Sequence, residues 1–206
     1  MRIIDFTHTL REDISLFPGS EKPVIKQTAW PDEDGFAERK LEFTGHTGTH
    51  MDSPAHVFED GITLDMMDIS AFSGKAVVAD CQDVTGEIGP DCLKNLGQVD
   101  FVLFCTGWSR YWGEEKYVTD YPYLSDETID LLIKMKVRGV GLDTIGADPV
   151  DSMEIHKKLL EQGILIIENL RNLEDAIGKE FMFYGLPLKY EGADGAPVRA
   201  IGVIYE

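Results

Sequence analysis

Histidine is scarce in this chain, with five in 206 residues, yet three crowd into the eleven-residue run His46-Thr-Gly-Thr-His50-Met-Asp52-Ser-Pro-Ala-His56. A fourth, His156, stands twelve residues before Glu168. Imidazole and carboxylate together form the donor set with which proteins hold zinc or manganese. So dense a cluster in a histidine-poor sequence points to metal chemistry.

Spacing limits how the run can fold. Ligands four residues apart on a straight strand have Cα atoms roughly 13 Å apart, too far for two imidazoles to share an ion through bonds of about 2.1 Å. Gly45 and Gly48 let the chain curl, and Pro54 ends regular pairing. A bent loop is therefore expected to gather His46, His50 and Asp52 around one ion. A zincin helix is excluded, because Thr47 stands where that motif needs Glu and Gly48 weakens a helix. His156 is expected inside a helix, and Glu168 at the end of the apolar run Ile164–Ile167. Strand ends are where α/β proteins place functional groups, and a carboxylate buried beside four apolar residues needs a partner such as a cation.

Three histidines and two carboxylates exceed what one open zinc site uses. Two ions bridged by Asp52 and Glu168 use them all and leave His56 unassigned. Two carboxylates on two divalent cations leave about two positive charges, enough to draw the pKa of a bridging water toward neutrality. His56 is then free to move protons near pH 7. The fifth histidine, in Asp5-Phe-Thr-His8, has no ligand partner nearby and reads as structural.

The elements that must position these groups follow from periodicity. Strands are expected at Arg2–Phe6, Val24–Thr28 and Glu38–Thr44, the last two split by a polar loop over Pro31–Gly35. Further strands are expected at Lys75–Asp80, Asp100–Cys105, Val137–Leu142, Ile164–Ile167, Phe181–Tyr184 and Val198–Tyr205. A turn is signalled at Phe17-Pro18-Gly19-Ser20. Helices are expected at Asp126–Lys136, capped by Ser125, and at Ser152–Gln162, where Asp151 and Glu154 form a capping box and Gly163 is the stop. The result is an α/β chain with a mixed sheet and few helices, read as one domain over residues 1–206.

A net charge of −18 argues against nucleic acid, which is bound through Lys and Arg replacing phosphate counterions. Anionic membrane surfaces are disfavoured for the same reason. No apolar run approaches the roughly 20 residues a bilayer span needs, and the opening MRIIDFTHTL lacks a signal-peptide pattern, so a cytoplasmic protein is expected. Cys81, Cys92 and Cys105 lack CxxC spacing, and Cys105 reads as a buried strand residue. Trp108 and Trp112 read as core or interface.

The run His46–His56 resembles the signature of the metal-dependent cyclase family, which includes bacterial kynurenine formamidases and isatin hydrolases. The similarity continues through Ile4-Asp-Phe-Thr-His8, Phe104-Cys-Thr-Gly-Trp108, Gly141-Leu-Asp-Thr144 with Asp148-Pro149, His156, Glu168 and Asp194-Gly-Ala-Pro-Val-Arg199. This resemblance implies a swivelling β/β/α fold assembled as a homodimer or homotetramer. By motif position it implies His46, His50 and Asp52 as ligands of one ion, His156 as a ligand of a second, Asp52 and Glu168 as bridges, and His56 as proton donor and acceptor. Formamidases of this family carry Trp-Pro-Gly near the N-terminus, with the Trp on the aromatic substrate. Here Phe17-Pro18-Gly19 keeps an aromatic face but loses the indole area and N–H donor.

The sequence therefore leads to a hydrolase of a small amide, lactam or ester, most simply arylformamidase-like. It is expected to use two divalent ions per chain, zinc in preference to manganese, a metal-bridged hydroxide as nucleophile, His56 as proton shuttle and Phe17 against the substrate. Two rivals keep the metal: a cyclase or dehydratase of a small organic acid, and a metal-binding protein without catalysis.

Overall fold

The computed structural model describes residues 1–94 and 96–205. In chain order the elements are β1 (Arg2–Asp5), β2 (Val24–Ala29), α1 (Pro31–Asp34), β3 (Glu38–Glu42), β4 (His50–Asp52), β5 (Ser73–Asp80), β6 (Glu87–Ile88), β7 (Phe101–Cys105), β8 (Tyr123–Leu124), α2 (Asp126–Met135), β9 (Gly139–Leu142), α3 (Glu154–Glu161), β10 (Leu165–Glu168), β11 (Phe181–Pro187) and β12 (Gly195–Ile204). Short 3-10 turns join several of them.

Seven strands close a ring in the order β12-β11-β5-β7-β9-β10-β4, with β4 pairing back onto β12. β5, β7, β9 and β10 run parallel and the remaining pairings are antiparallel. The long β12 makes closure possible. Its first residues, Gly195–Pro197, pair with β4 and Ile201–Ile204 pair with β1 along the same edge, while β11 runs along the other. The expected mixed sheet with few helices is observed.

Strand alternation sorts side chains into two cores. Met51, Ala76, Val78, Phe101, Leu103, Leu165, Ile167, Phe181 and Phe183 fill the ring. Their neighbours Val77, Ala79, Val102, Phe104, Val140, Leu142 and Ile166 face outward and are covered by Ile129 and Leu132 of α2 and Ile155, Leu159 and Leu160 of α3. Both faces are buried, which is why β5, β7 and β10 read as unbroken apolar runs rather than alternating ones.

Ser125 caps α2, its hydroxyl accepting from the Thr128 amide at 3.2 Å. Gly163 ends α3 at φ 71° in a Schellman arrangement, with Gly163 N–H on the Leu160 carbonyl and Ile164 N–H on that of Leu159. Two expectations need correction. The polar loop over Pro31–Gly35 is a single helical turn: Pro31 opens it, the Asp34 carboxylate accepts from Trp30 N–H at 2.9 Å, and Gly35 closes it at φ 79°. The capping box at Asp151 does not form, because α3 begins only at Glu154, whose N–H donates to Ser152 Oγ, while the amides of Ile155 and His156 turn to Asp148, three residues upstream of Asp151.

His8 packs as a structural residue. It is 7% exposed, stacks on Trp112 with ring centroids 4.0 Å apart, and its Nε2 has no hydrogen-bond partner among the described residues. Burial first, and then Arg171, push its pKa down to about 4. The unfolded chain takes up a proton near pH 6.5, so between these values the unfolded state holds more protons and stability falls as pH drops. His8→Asn is expected to remove up to about 3 kcal/mol of that acid destabilisation. Urea unfolding of both proteins at pH 7.5 and 4.5 checks it. Equal pH dependence in the two would contradict it.

Candidate metal centre

The run His46–His56 is bent as its glycines require. Residues 45–49 turn, with Gly48 at φ 70°, β4 follows, and a 3-10 turn over Pro54–His56 ends the segment. Within β4, Met51 points into the ring, so His50 and Asp52 face out. In β10, Ile167 likewise points in and Glu168 out. The antiparallel register sets Glu168 opposite His50 and Ile166 opposite Asp52. Two adjacent strands thus bring an imidazole and both carboxylates onto the same outer face. α3 lies over this face and contributes His156.

The contacts converge on the two carboxylates. Asp52 Oδ1 lies 2.7 Å from His46 Nδ1 and 3.3 Å from His50 Nε2, and Asp52 Oδ2 lies 3.5 Å from His156 Nε2. Glu168 stands 3.5 Å from His50 Nε2 and 3.2 Å from His156 Nε2. Each ring turns its other nitrogen to an oxygen outside this group. His156 Nδ1 meets Asp148 at 2.6 Å, His50 Nδ1 meets the Gly48 carbonyl at 2.9 Å, and His46 Nε2 meets Asp194 at 3.0 Å. Outer oxygens of this kind accept an N–H and fix the tautomer, leaving the inner nitrogens of metal-ligating histidines as lone pairs.

Burial is nearly complete: Asp52 is 0%, His50 3%, and His156 and Glu168 5% exposed. Without a cation these groups must neutralise one another with protons. Burial pushes His46, His50 and His156 down, but neighbouring carboxylates outweigh it and hold all three above the ordinary imidazole value, His46 at about 9. Burial pushes Asp52 up, yet the three imidazoles hold its carboxyl well below the usual range. Asp52 Oδ2 nevertheless has no hydrogen-bond partner among the described residues. An unpartnered carboxylate oxygen at full burial, ringed by imidazole nitrogens, fits a divalent cation.

Among the described residues three groups of donor atoms converge: His46, His50 and Asp52; Asp52, His156 and Glu168; and, at the rim, the half-buried His46, His56 and Asp194. Asp52 belongs to the first two. The five expected ligands are therefore brought together. His56 stands beside them, its ring 4.0 Å from that of His46 and 5.8 Å from that of His156. Burial holds its pKa below the ordinary value. A cavity of about 330 Å³ opens onto the cluster, with Leu16, Phe17, Ile145, Pro149 and Met153 among its walls. Phe17 sits at this cavity, 43% exposed, in the expected turn, with Ser20 N–H on its carbonyl.

Several contributing residues had no assigned role from sequence. Asp148 caps α3 through the amides of Ile155 and His156, at 2.8 and 2.9 Å, while gripping the His156 ring. Asp194 holds His46 from the bend just before β12. Asn169, at φ 58°, donates to the Gly48 carbonyl that receives His50. The first two lie in quoted motif pieces, Asp148-Pro149 and Asp194-Gly. An aspartate in such a turn gives no sign of which distant ring it will meet.

A family model described as "Putative cyclase" matches residues 4–149. An uncharacterised protein of Methanocaldococcus jannaschii is 35% identical over 99% of this chain and 100% of its own length. A kynurenine formamidase of Erythrobacter litoralis is 31% identical over 97% of this chain and 93% of its own. Among solved structures, isatin hydrolase A from Labrenzia aggregata, bound to benzyl benzoate, superposes with a TM-score of 0.86 and 27% identity, covering 100% of this chain and 94% of that one. That likeness agrees with the swivelling β/β/α fold.

Proposed function

The chain belongs to the cyclase family, and from that premise we propose that it is a binuclear metal-dependent hydrolase of a small amide, lactam or ester, arylformamidase-like in its reaction. The observation that carries this reading is the common orientation of three imidazoles. Each commits one nitrogen to an outer oxygen and turns the other to Asp52, or to Asp52 and Glu168.

Two divalent ions per chain, zinc in preference to manganese, would be held there. His46, His50 and Asp52 would take one, His156 the other, and Asp52 and Glu168 would be shared. Bound in this way, such ions polarise a substrate carbonyl and bring the pKa of water toward neutrality. His56 is the proton carrier. Its Nδ1 lies 3.7 Å from Asp194, beyond hydrogen-bond range, and burial favours the neutral ring. A neutral imidazole takes the proton of the attacking water and returns it to the leaving nitrogen or oxygen. Phe17, with Leu16, Ile145 and Met153, offers an apolar wall to the body of the substrate. A kynurenine formamidase and an isatin hydrolase among the relatives favour cleavage of a C–N bond in a small aromatic molecule.

Asp148 has a double grip on α3 and on His156. Asp148→Asn is expected to weaken binding of the second ion by about 10–100-fold, because the amide no longer offers a carboxylate to the His156 N–H. Competition titration against a chromophoric chelator measures it. Unchanged affinity would place Asp148 in helix capping alone.

A homodimer or homotetramer belongs to the same reading. The β2–β3 ribbon exposes Val24, Trp30, Phe36 and Leu41, and an isolated two-stranded ribbon is marginally stable in water. No helix among the described residues is long and apolar enough to cross a membrane. The direct test is to incubate the metal-loaded protein with an aryl formamide and with isatin, then weigh the products. Each turnover is expected to add one water. Loss of water would replace this reading with a dehydrating cyclisation, and metal binding without turnover would leave a protein that only holds ions.

A further inference from the structure

We propose that Tyr121 is a further catalytic residue: its hydroxyl donates a hydrogen bond to the oxygen that gains negative charge when water adds to the substrate carbonyl. The inference rests on the hydrolase reading above and concerns a residue outside the ligand set. Its ring is 4% exposed and packed in a cluster with Trp108, Tyr117 and Ile145. The chain reaches it through Asp120 at φ 52° and leaves through Pro122, just before β8. Strained backbone before it and a proline after it, with a packed ring between, hold the phenol in one place.

The hydroxyl end reaches the cavity of the metal centre. It abuts Gly146: a Cβ built there would lie 3.2 Å from Tyr121 Oη and 3.8 Å from Glu168 Oε1. Oη and a Glu168 oxygen therefore both border the space over Gly146, in the cavity that opens onto the metal centre. Tyr117, in the same cluster, spends its hydroxyl on Asn169 Oδ1 at 2.9 Å. Among the described residues no hydrogen bond to the Tyr121 hydroxyl is formed, and Oη is not one of the fully buried unpartnered atoms, as expected of a group that lines the cavity.

A tyrosine this buried ordinarily finds a partner for its O–H. The other polar groups lining the cavity are largely engaged. Thr44 pairs with Thr47 at 3.0 Å, Ser152 donates to Asp148 at 3.0 Å, and the Asn169 amide donates to the Gly48 carbonyl at 2.9 Å. Burial first, and then the nearby Glu168 and Asp148 carboxylates, push the Tyr121 phenol above its ordinary value, so it keeps its proton at neutral pH. When water adds, a C–O bond forms, the carbonyl π pair moves to oxygen and the water's proton passes to His56. A fixed donor aimed at that oxygen strengthens its bond as the charge develops.

Tyr121→Phe removes one oxygen and keeps the packed ring. With the metal-loaded enzyme and an aryl formamide, kcat is expected to fall about 100-fold or more, with KM within about twofold, an unchanged melting temperature and unchanged metal content. Calorimetry with phenylphosphonate, a tetrahedral oxyanion, is expected to show binding at least about tenfold weaker, while neutral benzamide binds as before. Unchanged kcat and unchanged phenylphosphonate affinity would overturn the proposal. So would a rate loss that tracks lost metal or lost stability. Absence of turnover in the wild-type metal-loaded protein would sink the hydrolase reading instead, and the phenylphosphonate comparison would then decide Tyr121 alone.

Discussion

Replacing His56 with alanine is expected to lower kcat by about 10²–10⁴-fold while two ions stay bound. The reason lies in how the cluster divides its nitrogens. His46, His50 and His156 each have one nitrogen turned to Asp52 and one held by an outer oxygen. His56 makes no such contact with Asp52 and is not held by a hydrogen bond to an outer oxygen, although it converges with His46 and Asp194 at the rim. Its ring lies 4.0 Å from that of His46, and Asp194 stands 3.7 Å from its Nδ1. Such a ring can approach substrate and change protonation state without loosening the centre. Steady-state kinetics beside elemental analysis separates the two effects. Unchanged turnover would remove the proton-carrier role, and lost metal would recast His56 as a ligand.

Asp52→Asn is expected to be more severe, with both ions lost together and activity down at least about a thousandfold, some 4 kcal/mol of barrier. Asp52 is wholly buried and uses both oxygens: Oδ1 faces His46 and His50, and Oδ2 faces His156. An amide of the same shape keeps one acceptor and turns an NH₂ group toward nitrogens that should present lone pairs. Circular dichroism should be unchanged, because β4 keeps its pairing with β10 and β12 through the backbone. Loss of one ion with retention of the other would show that Asp52 serves a single site.

Much of this centre was legible before the fold was known. His46, His50 and Asp52 announce themselves by type and crowding, and the flanking glycines by the bend they allow. His156 and Glu168 could be paired with them only by counting ligands. The register that sets Glu168 opposite His50 depends on β4, a three-residue strand too short to leave a periodic signal. Closure of the ring was hidden for a related reason: one long strand, β12, pairs with β4 at its start and β1 at its end. The α3 capping box is suggested by the spacing of Asp151 and Glu154, but Ser152 takes the Glu154 amide and Asp148 reaches the next two from a turn. Tyr121 carried no signal, since a tyrosine in a loop shows neither its packed ring nor its free hydroxyl.

Elemental analysis of the purified protein, by mass spectrometry against protein concentration, tests the paired-ion centre most directly. The expected result is close to two divalent ions per chain, zinc foremost, falling toward none in Asp52→Asn. A wild-type value of one would return His156 to a structural role beside Asp148, and a value near zero after metal reconstitution would contradict the centre altogether.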